Sequence, residues 1–470
     1  MSLAARPVLH AVPSTRLELI PPQVEKLRAT FASGRTRPLA WRREQLKALK
    51  ALVHERGDAL VEALQADLRK PTLEAWVADV GQVTVEATLA LRGLRRWTKP
   101  RRAGFFPLGR SRVVHEPLGV VLIIAPWNYP VGLLLSPLIG AIAAGNCAVL
   151  KPSEVTMHTS AALAKYVPEY LDRDAFALIE GGVDETSALL EQRFDHVFYT
   201  GNGRVGRVVM EAAAKHLTPV TLELGGKSPC IVDVDVDVKV AARRIAWGKF
   251  MNAGQTCIAP DYVLVHERRE AELLRELGSA VREFFGDDPK ATRDYARVVN
   301  RRHYERLAKL LGDGEPVIGG QSDASDCYIA PTVLRGVRKD APIMQEEIFG
   351  PILPILPVKS VDEAIGFVKR GDKPLALYVF SSQGDVAKHV IETTSSGGVC
   401  VNGTILHIAN PALPFGGVGE SGMGAYHGRH TFDTFSHLKP VLSRGFRFDP
   451  KWMYPPYAGL KTKLVQRFLR

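Results

Sequence analysis

Cys257 is the first residue to weigh for chemistry. The segment Asn252-Ala253-Gly254-Gln255-Thr256 leads into it as a polar, glycine-bearing loop that follows a helical stretch. A loop of that kind can expose a thiol, and an exposed thiol that loses its proton is a nucleophile. The other four cysteines read differently: Cys147, Cys230 and Cys400 sit in apolar strand-like runs, as small buried hydrophobes do, and Cys327 lies in a polar turn. No pair among the five has zinc or redox-motif spacing. His427 and His430 stand three apart without a third ligand nearby in sequence, so no metal site is expected.

Two further segments could hold a nucleotide. Gly201-Asn202-Gly203-Arg204-Val205-Gly206 fits G-x-G-x-x-G between a strand and a helix, where backbone amides at the helix start can face a pyrophosphate. The same glycines also suit a strand-to-helix turn that needs close packing. The fingerprint asks for an acid about 20 residues on to bind a ribose, and spacing alone assigns that place to Glu223. Lys151-Pro152-Ser153-Glu154 follows an apolar strand at its carboxyl end, where open α/β sheets bind ligands. Lysine and glutamate there could bracket ribose hydroxyls, or Ser153 and Glu154 could cap a helix. Local sequence does not separate these two readings. No Walker loop is present.

These residues need a frame to bring them together. Residues 41–70 place Leu46, Leu49, Leu52, Val53, Leu60, Val61, Leu64 and Leu68 at helical spacing, and a second helix is predicted from Pro71 to about residue 96. Two short apolar runs around Pro107-Leu108-Gly109-Arg110 predict a hairpin over 101–116. Residues 118–150 carry no charge, a length that raises a membrane span. Pro126, Asn128, Pro130, Pro137 and Asn146 break the run, which reads instead as strand, loop, helix and strand in a parallel sheet. Alternation continues through strands at 176–180 and 196–200, then restarts after Gly225-Gly226 with strands at 231–232, 262–266, 328–334, 352–357, 376–380 and 398–402. The expectation is two doubly wound α/β domains meeting at a cleft.

Composition agrees with a folded protein. The 470 residues are 46% apolar and 24% charged, too long for one ordinary core and too apolar for extensive disorder. The odd, scattered cysteines and the absence of a signal-length apolar segment near the start point to a reducing cytoplasm.

Taken together, the motifs are more specific than any one of them. Pro126-Trp127-Asn128, Lys151 to Glu154, Glu223-Leu224-Gly225-Gly226-Lys227-Ser228-Pro229, Asn252 to Cys257, Glu346-Glu347-Ile348-Phe349-Gly350-Pro351 and Pro414-Phe415-Gly416-Gly417 occur in the order found in aldehyde dehydrogenases. The chain resembles that superfamily over about residues 17–455. Residues 212–229, 416–428 and Tyr454-Pro455-Pro456-Tyr457 look like its class 3 branch, which includes fatty, aromatic and coniferyl aldehyde dehydrogenases.

The resemblance implies a variant Rossmann NAD-binding domain at 1–99 and 119–226 and a catalytic domain at 227–425. It further implies oligomerisation elements at 100–118 and 426–455, a homodimer, and a basic tail at 456–470. It makes Cys257 the nucleophile, Asn128 an oxyanion donor with the backbone amide at Cys257, and Glu223 the base that activates water, displacing the ribose assignment. Its cofactor set is Lys151 and Glu154 at the adenosine ribose, the turn bounded by Gly201 and Gly206 near the pyrophosphate, Glu347 at the nicotinamide ribose, Phe349 against the nicotinamide, and Trp127. The expected reaction is NAD(P)-dependent oxidation of an aromatic or medium- to long-chain aliphatic aldehyde to the acid. NAD is the expected cofactor, because a carboxylate at Glu154 repels a 2′-phosphate, with NADP also accepted. Alternatives are a coenzyme A-acylating enzyme, against which Glu223 counts, and a non-catalytic protein of the same fold.

The net charge of +11 invites a nucleic-acid reading, but no recognised module accompanies it. Residues 92–112 and 439–470 contribute +8 and +7, which leaves −4 for the remainder. Leu464, Val465, Phe468 and Leu469 alternate with basic residues as in a surface-lying helix, so weak attachment of the tail to anionic membranes is a further expectation.

Overall fold

A computed structural model describes residues 14–106, 108–457 and 459–469; the side chains of Trp452, Leu464, Phe468 and Leu469 are outside that description. The apolar stripe of residues 41–70 forms one face of the helix Leu39–Leu68 and is buried throughout. That helix ends because Arg69 turns left-handed at φ 49°, a conformation that reverses the chain. The second predicted helix is not continuous. Thr72–Ala75 passes into a π-helical turn, Trp76–Val80, before Gly81–Trp97 resumes α geometry.

The uncharged run builds the centre of a six-stranded sheet. Its order is Gly422–Met423, Val220–Glu223, His196–Thr200, Val120–Ile124, Cys147–Lys151, Phe176–Leu178, all parallel except the first. Val120–Ile124 and Cys147–Lys151 are buried along their whole length, which is why they lack polar alternation. The helix Gly132–Ala144 between them spans 13 residues, and no described helix is long and apolar enough to cross a membrane. Strand order reverses between Val120–Ile124 and His196–Thr200. The loops leaving these two strands carry Asn128 and Gly201, so both stand where open sheets accept ligands.

A seven-stranded sheet follows Gly225-Gly226. It runs Glu315–Ile318, Thr332–Arg335, Ile352–Val358, Tyr262–His266, Pro229–Val232, Ala376–Phe380, Gly398–Val401, with Glu315–Ile318 the antiparallel edge. The single strand expected over 328–334 is two: Tyr328–Ile329 pairs with Ser322–Asp323, and Thr332–Arg335 joins the large sheet. Pro331 between them has no N–H to donate to a ladder. In the expected hairpin, Arg101–Arg102 pairs with Arg110–Pro117, and Ser436–Ser443 adds along the other side, from Ser436 opposite Pro117 to Ser443 opposite Arg110.

Candidate active site

The polar loop before Cys257 is buried. After the helix Val238–Phe250, Asn252, Ala253 and Gly254 adopt φ of 51°, 50° and 73° in succession. Left-handed geometry at two non-glycine residues is strained and persists only when the surroundings impose it. Here most of the loop's polar groups are bonded within the loop or to the elements around it, Asn252 Oδ1 excepted. Asn252 N donates to Glu74 at 2.9 Å, Gln255 Nε2 to the Asn252 and Arg297 carbonyls at 3.0 and 2.9 Å, and Val299 N to Gln255 Oε1 at 2.9 Å. Thr256 Oγ1 lies 2.7 Å from the Tyr129 hydroxyl. Cys257 alone of this loop is partly accessible; Asn252 through Thr256 are buried.

Asn128 reaches this loop from the other sheet. Its Nδ2 donates to the Gln255 carbonyl at 3.0 Å, and its own carbonyl accepts from Asn252 Nδ2 at 3.0 Å and Lys70 Nζ at 2.8 Å. Glu223 ends the strand Val220–Glu223 and lines the same cavity as Cys257. It is buried, neither carboxylate oxygen has a hydrogen-bond partner among the described residues, and burial lifts it well above the usual carboxylate range. Glu223 therefore does not occupy the ribose place that spacing alone would assign to it.

The cavity encloses about 560 Å³. Apolar walls come from Trp76, Leu133, Ile405 and Phe415, while Val77, Val85, Trp247 and Leu406 line it and also face solvent. Its contributors from Trp76–Val80 and Gly81–Trp97 were invisible in sequence, because an apolar helix stripe reads equally well as core. Glu86 and His427 also line it, joined by a 2.8 Å hydrogen bond that gives His427 a partner other than a metal.

Burial raises the Cys257 thiol, with the charges of Glu347 and then Glu223 pushing in the same direction. Glu347 is pushed up to about 8 by burial, helped by Asp261 and opposed by a hydrogen bond from Gly226 N. Glycine at 225 leaves room for that carboxylate: a Cβ on it would stand 1.9 Å from Glu347 Oε2, so the side chain would have to shift. Phe349, itself at φ 49°, meets Trp127 edge-on at 5.3 Å between ring centroids.

The remaining cofactor candidates line up at the first sheet's carboxyl edge. Lys151 Nζ donates to the Pro152 carbonyl at 2.8 Å and stands 3.8 Å from Glu154. The helix-cap reading of Ser153 and Glu154 is corrected: the helix begins at Met157, and Asp67 accepts from His158 N and Thr159 N at 3.1 and 2.8 Å. A buried ammonium with donors to spare beside a half-exposed carboxylate suits a vicinal diol, so these residues fit a nucleotide ribose. In the Gly201 to Gly206 turn, Asn202 caps the helix Gly203–Ala214 by accepting from Val205 N at 3.0 Å. A Cβ at Gly201 or Gly206 would fall 2.2 Å from the Tyr199 hydroxyl or 2.9 Å from Leu224. Close packing thus accounts for both glycines.

The chain is similar to known proteins over most of its length. Residues 4–441 match the model of the aldehyde dehydrogenase family. Rat aldehyde dehydrogenase family 3 member A2 is 50% identical over 95% of this chain and 93% of its own length. The mouse protein described as "aldehyde dehydrogenase, dimeric NADP-preferring" is 49% identical, over 92% and 97%. The substrate-bound structure of Staphylococcus aureus AldH superposes with a TM-score of 0.94 at 45% identity, covering 96% of this chain and 99% of that one. The chain belongs to the aldehyde dehydrogenase family, and its activity is the NAD(P)-dependent oxidation of an aldehyde to the carboxylic acid.

Proposed function

We propose that this is a non-acylating aldehyde dehydrogenase in which Cys257 is the nucleophile, Asn128 and the Cys257 amide receive the oxyanion, and Glu223 activates water. The observation that carries this reading is one apolar-walled cavity onto which Cys257 and Glu223 both open, with Asn128 tied to the loop two residues before the thiol. Addition of the Cys257 thiolate to the carbonyl forms a thiohemiacetal. The charge that develops on oxygen needs fixed donors, and the second N–H of Asn128 is available because the first is held by the Gln255 carbonyl. When bound, NAD(P) supplies the hydride acceptor that converts this adduct to a thioester. Glu223, with both oxygens unpartnered, then takes a proton from water as the water attacks the thioester carbonyl and the thiolate leaves.

Lys151 and Glu154 would hold the adenosine ribose, the turn bounded by Gly201 and Gly206 the pyrophosphate, Glu347 the nicotinamide ribose, and Trp127 and Phe349 the nicotinamide. Glu154 disfavours a 2′-phosphate, so NAD is preferred. The apolar walls favour aromatic or medium- to long-chain aliphatic aldehydes. A panel of benzaldehyde, coniferaldehyde, hexanal and hexadecanal with each cofactor tests this; higher kcat/KM for acetaldehyde than for all four would overturn it.

The same reading divides the chain into a nucleotide domain (1–99 and 119–226), a catalytic domain (227–425) and association elements (100–118 and 426–455). Pairing of Arg110–Pro117 with Ser436–Ser443 supports joint action of those elements in a homodimer, and the mouse relative is described as dimeric. The tail forms a helix, Leu460–Leu469, bearing Lys461, Lys463 and Arg467. Its basic side chains support weak attachment to anionic membranes, which cosedimentation with anionic vesicles at low salt would test; the side chains of Leu464, Phe468 and Leu469, expected to form its apolar face, lie outside the described residues.

A further inference from the structure

Lys70 and Asp79 are the most deeply buried ion pair among the described residues, 3.2 Å apart and both 0% exposed. They lie in the N-terminal helical region, yet both grip the loop that carries Asn128. Lys70 Nζ donates to the Asn128 carbonyl at 2.8 Å and sits 4.1 Å from the centre of the Tyr129 ring. Asp79 Oδ1 accepts from Gly132 N at 2.5 Å, at the start of the helix that follows. Between them in sequence, Glu74 accepts from Asn252 N at 2.9 Å. Ten residues of chain thus hold the loop of the oxyanion donor and the loop of the nucleophile against each other.

The local backbone explains how they do so. The left-handed turn at Arg69 ends the helix Leu39–Leu68 immediately before Lys70. The π-helical turn Trp76–Val80 contains Asp79 at its fourth position, and such turns recur at functional sites. A fully buried ion pair is a poor source of stability, because well-packed apolar residues do as well or better. What it supplies here is direction. Two donors, from Lys70 and Asn252, fix the Asn128 carbonyl, so the amide one side chain away is aimed before substrate arrives. Displacement of such a group by 1 Å lowers a rate by about 100-fold.

We infer that Lys70, neutralised by Asp79, is a positioning residue for the oxyanion donor Asn128. The inference rests on the role proposed above for Asn128. The test is a mutant cycle in the full-length enzyme. Lys70→Met/Asp79→Asn removes both charges, keeps an acceptor for Gly132 N, and deletes the donor to Asn128 together with the cation over the Tyr129 ring. The expected result is a kcat at least tenfold lower with the KM for NAD unchanged. In an Asn128→Ala background the same pair of substitutions should change kcat less than twofold, since there is no amide left to aim. Parental kcat in the double variant, or an equal loss in both backgrounds, would overturn the inference. A variant that does not fold is replaced by Lys70→Gln/Asp79→Asn. Its shorter donor lengthens the bond, with an expected loss of at least threefold that vanishes in the Asn128→Ala background; no loss, or a loss that persists, again overturns it. Parental kcat in Asn128→Ala alone would instead remove the role of Asn128.

Discussion

Glu223 and Glu347 both bear on Cys257, but they come from unlike regions of the molecule. Glu223 ends a strand of the six-stranded sheet and lies in an apolar cavity where neither of its oxygens finds a partner. Glu347 lies in the loop before Ile352–Val358 of the seven-stranded sheet, held by Gly226 N and attracted by Lys227 and Arg306. A carboxylate without partners can exchange a proton with water or substrate; one already engaged is suited to hold a ligand in place. The contrast teaches that the environment, not the residue type, suits one carboxyl to the base and the other to the anchor role proposed for it.

Substitutions around the cavity can break or sharpen this contrast. Cys257→Ala has the largest expected effect, abolishing NADH formation as followed by absorbance; sustained turnover would show that neither carboxylate serves this thiol. Glu223→Gln should yield at most one NADH per site followed by a stalled thioester, detectable by rapid mixing and intact-protein mass spectrometry. Steady turnover above about one hundredth of the parental rate would return Glu223 to a structural role.

Glu347→Gln should act in the opposite direction on the thiol. Glu347 is the leading charge that raises Cys257, so its removal should make alkylation by iodoacetamide several-fold faster at pH 9, where Glu347 is ionised, and change it little at pH 7, where Glu347 holds its proton. Slower alkylation would mean that Glu347 helps the thiolate form.

The pH dependence of stability follows from the same burial. Glu347 binds its proton up to about pH 8 in the folded chain, whereas in the unfolded chain it loses the proton near 4.5. Between those values the native state holds the extra proton, so stability falls as pH rises and is fully present only below about pH 4.5. Glu74, raised by burial to about 7, adds to the same trend. Melting temperature should fall by several degrees from pH 5 to pH 8, and less in Glu347→Gln; parallel curves for the two proteins would contradict the assignment. The smallest expected change is in cofactor choice. Glu154→Gln should raise NADP use relative to NAD by about threefold to tenfold, and an unchanged ratio would leave Glu154 without a part in selection.

Much of the fold was legible because its strands are covered on both faces. Continuous apolar runs such as Val120–Ile124 and Cys147–Lys151 follow from that burial. Shorter or half-exposed elements were missed: Glu315–Ile318 at the sheet edge and Gly422–Met423 beside Glu223 carry too little apolar pattern to register. Spacing also misled, since the acid about 20 residues beyond the glycines faces the cavity of Cys257. The cavity walls from Trp76–Val80 and Gly81–Trp97 left no mark distinguishable from ordinary core.

The order and chemistry of the motifs, and through them the family and its reaction, were determined by the sequence alone. Those features lie in residue types and local spacing, which need no folded partner to be read. Which groups act together was decided by the tertiary structure. Asn128 meets the Gln255 carbonyl across 127 positions, and Lys70 reaches Asn128 across 58. Contacts at such separations form only when two sheets and a helical layer pack, and packing is also what leaves Glu223 unpartnered and Lys70 dry enough to aim its neighbour.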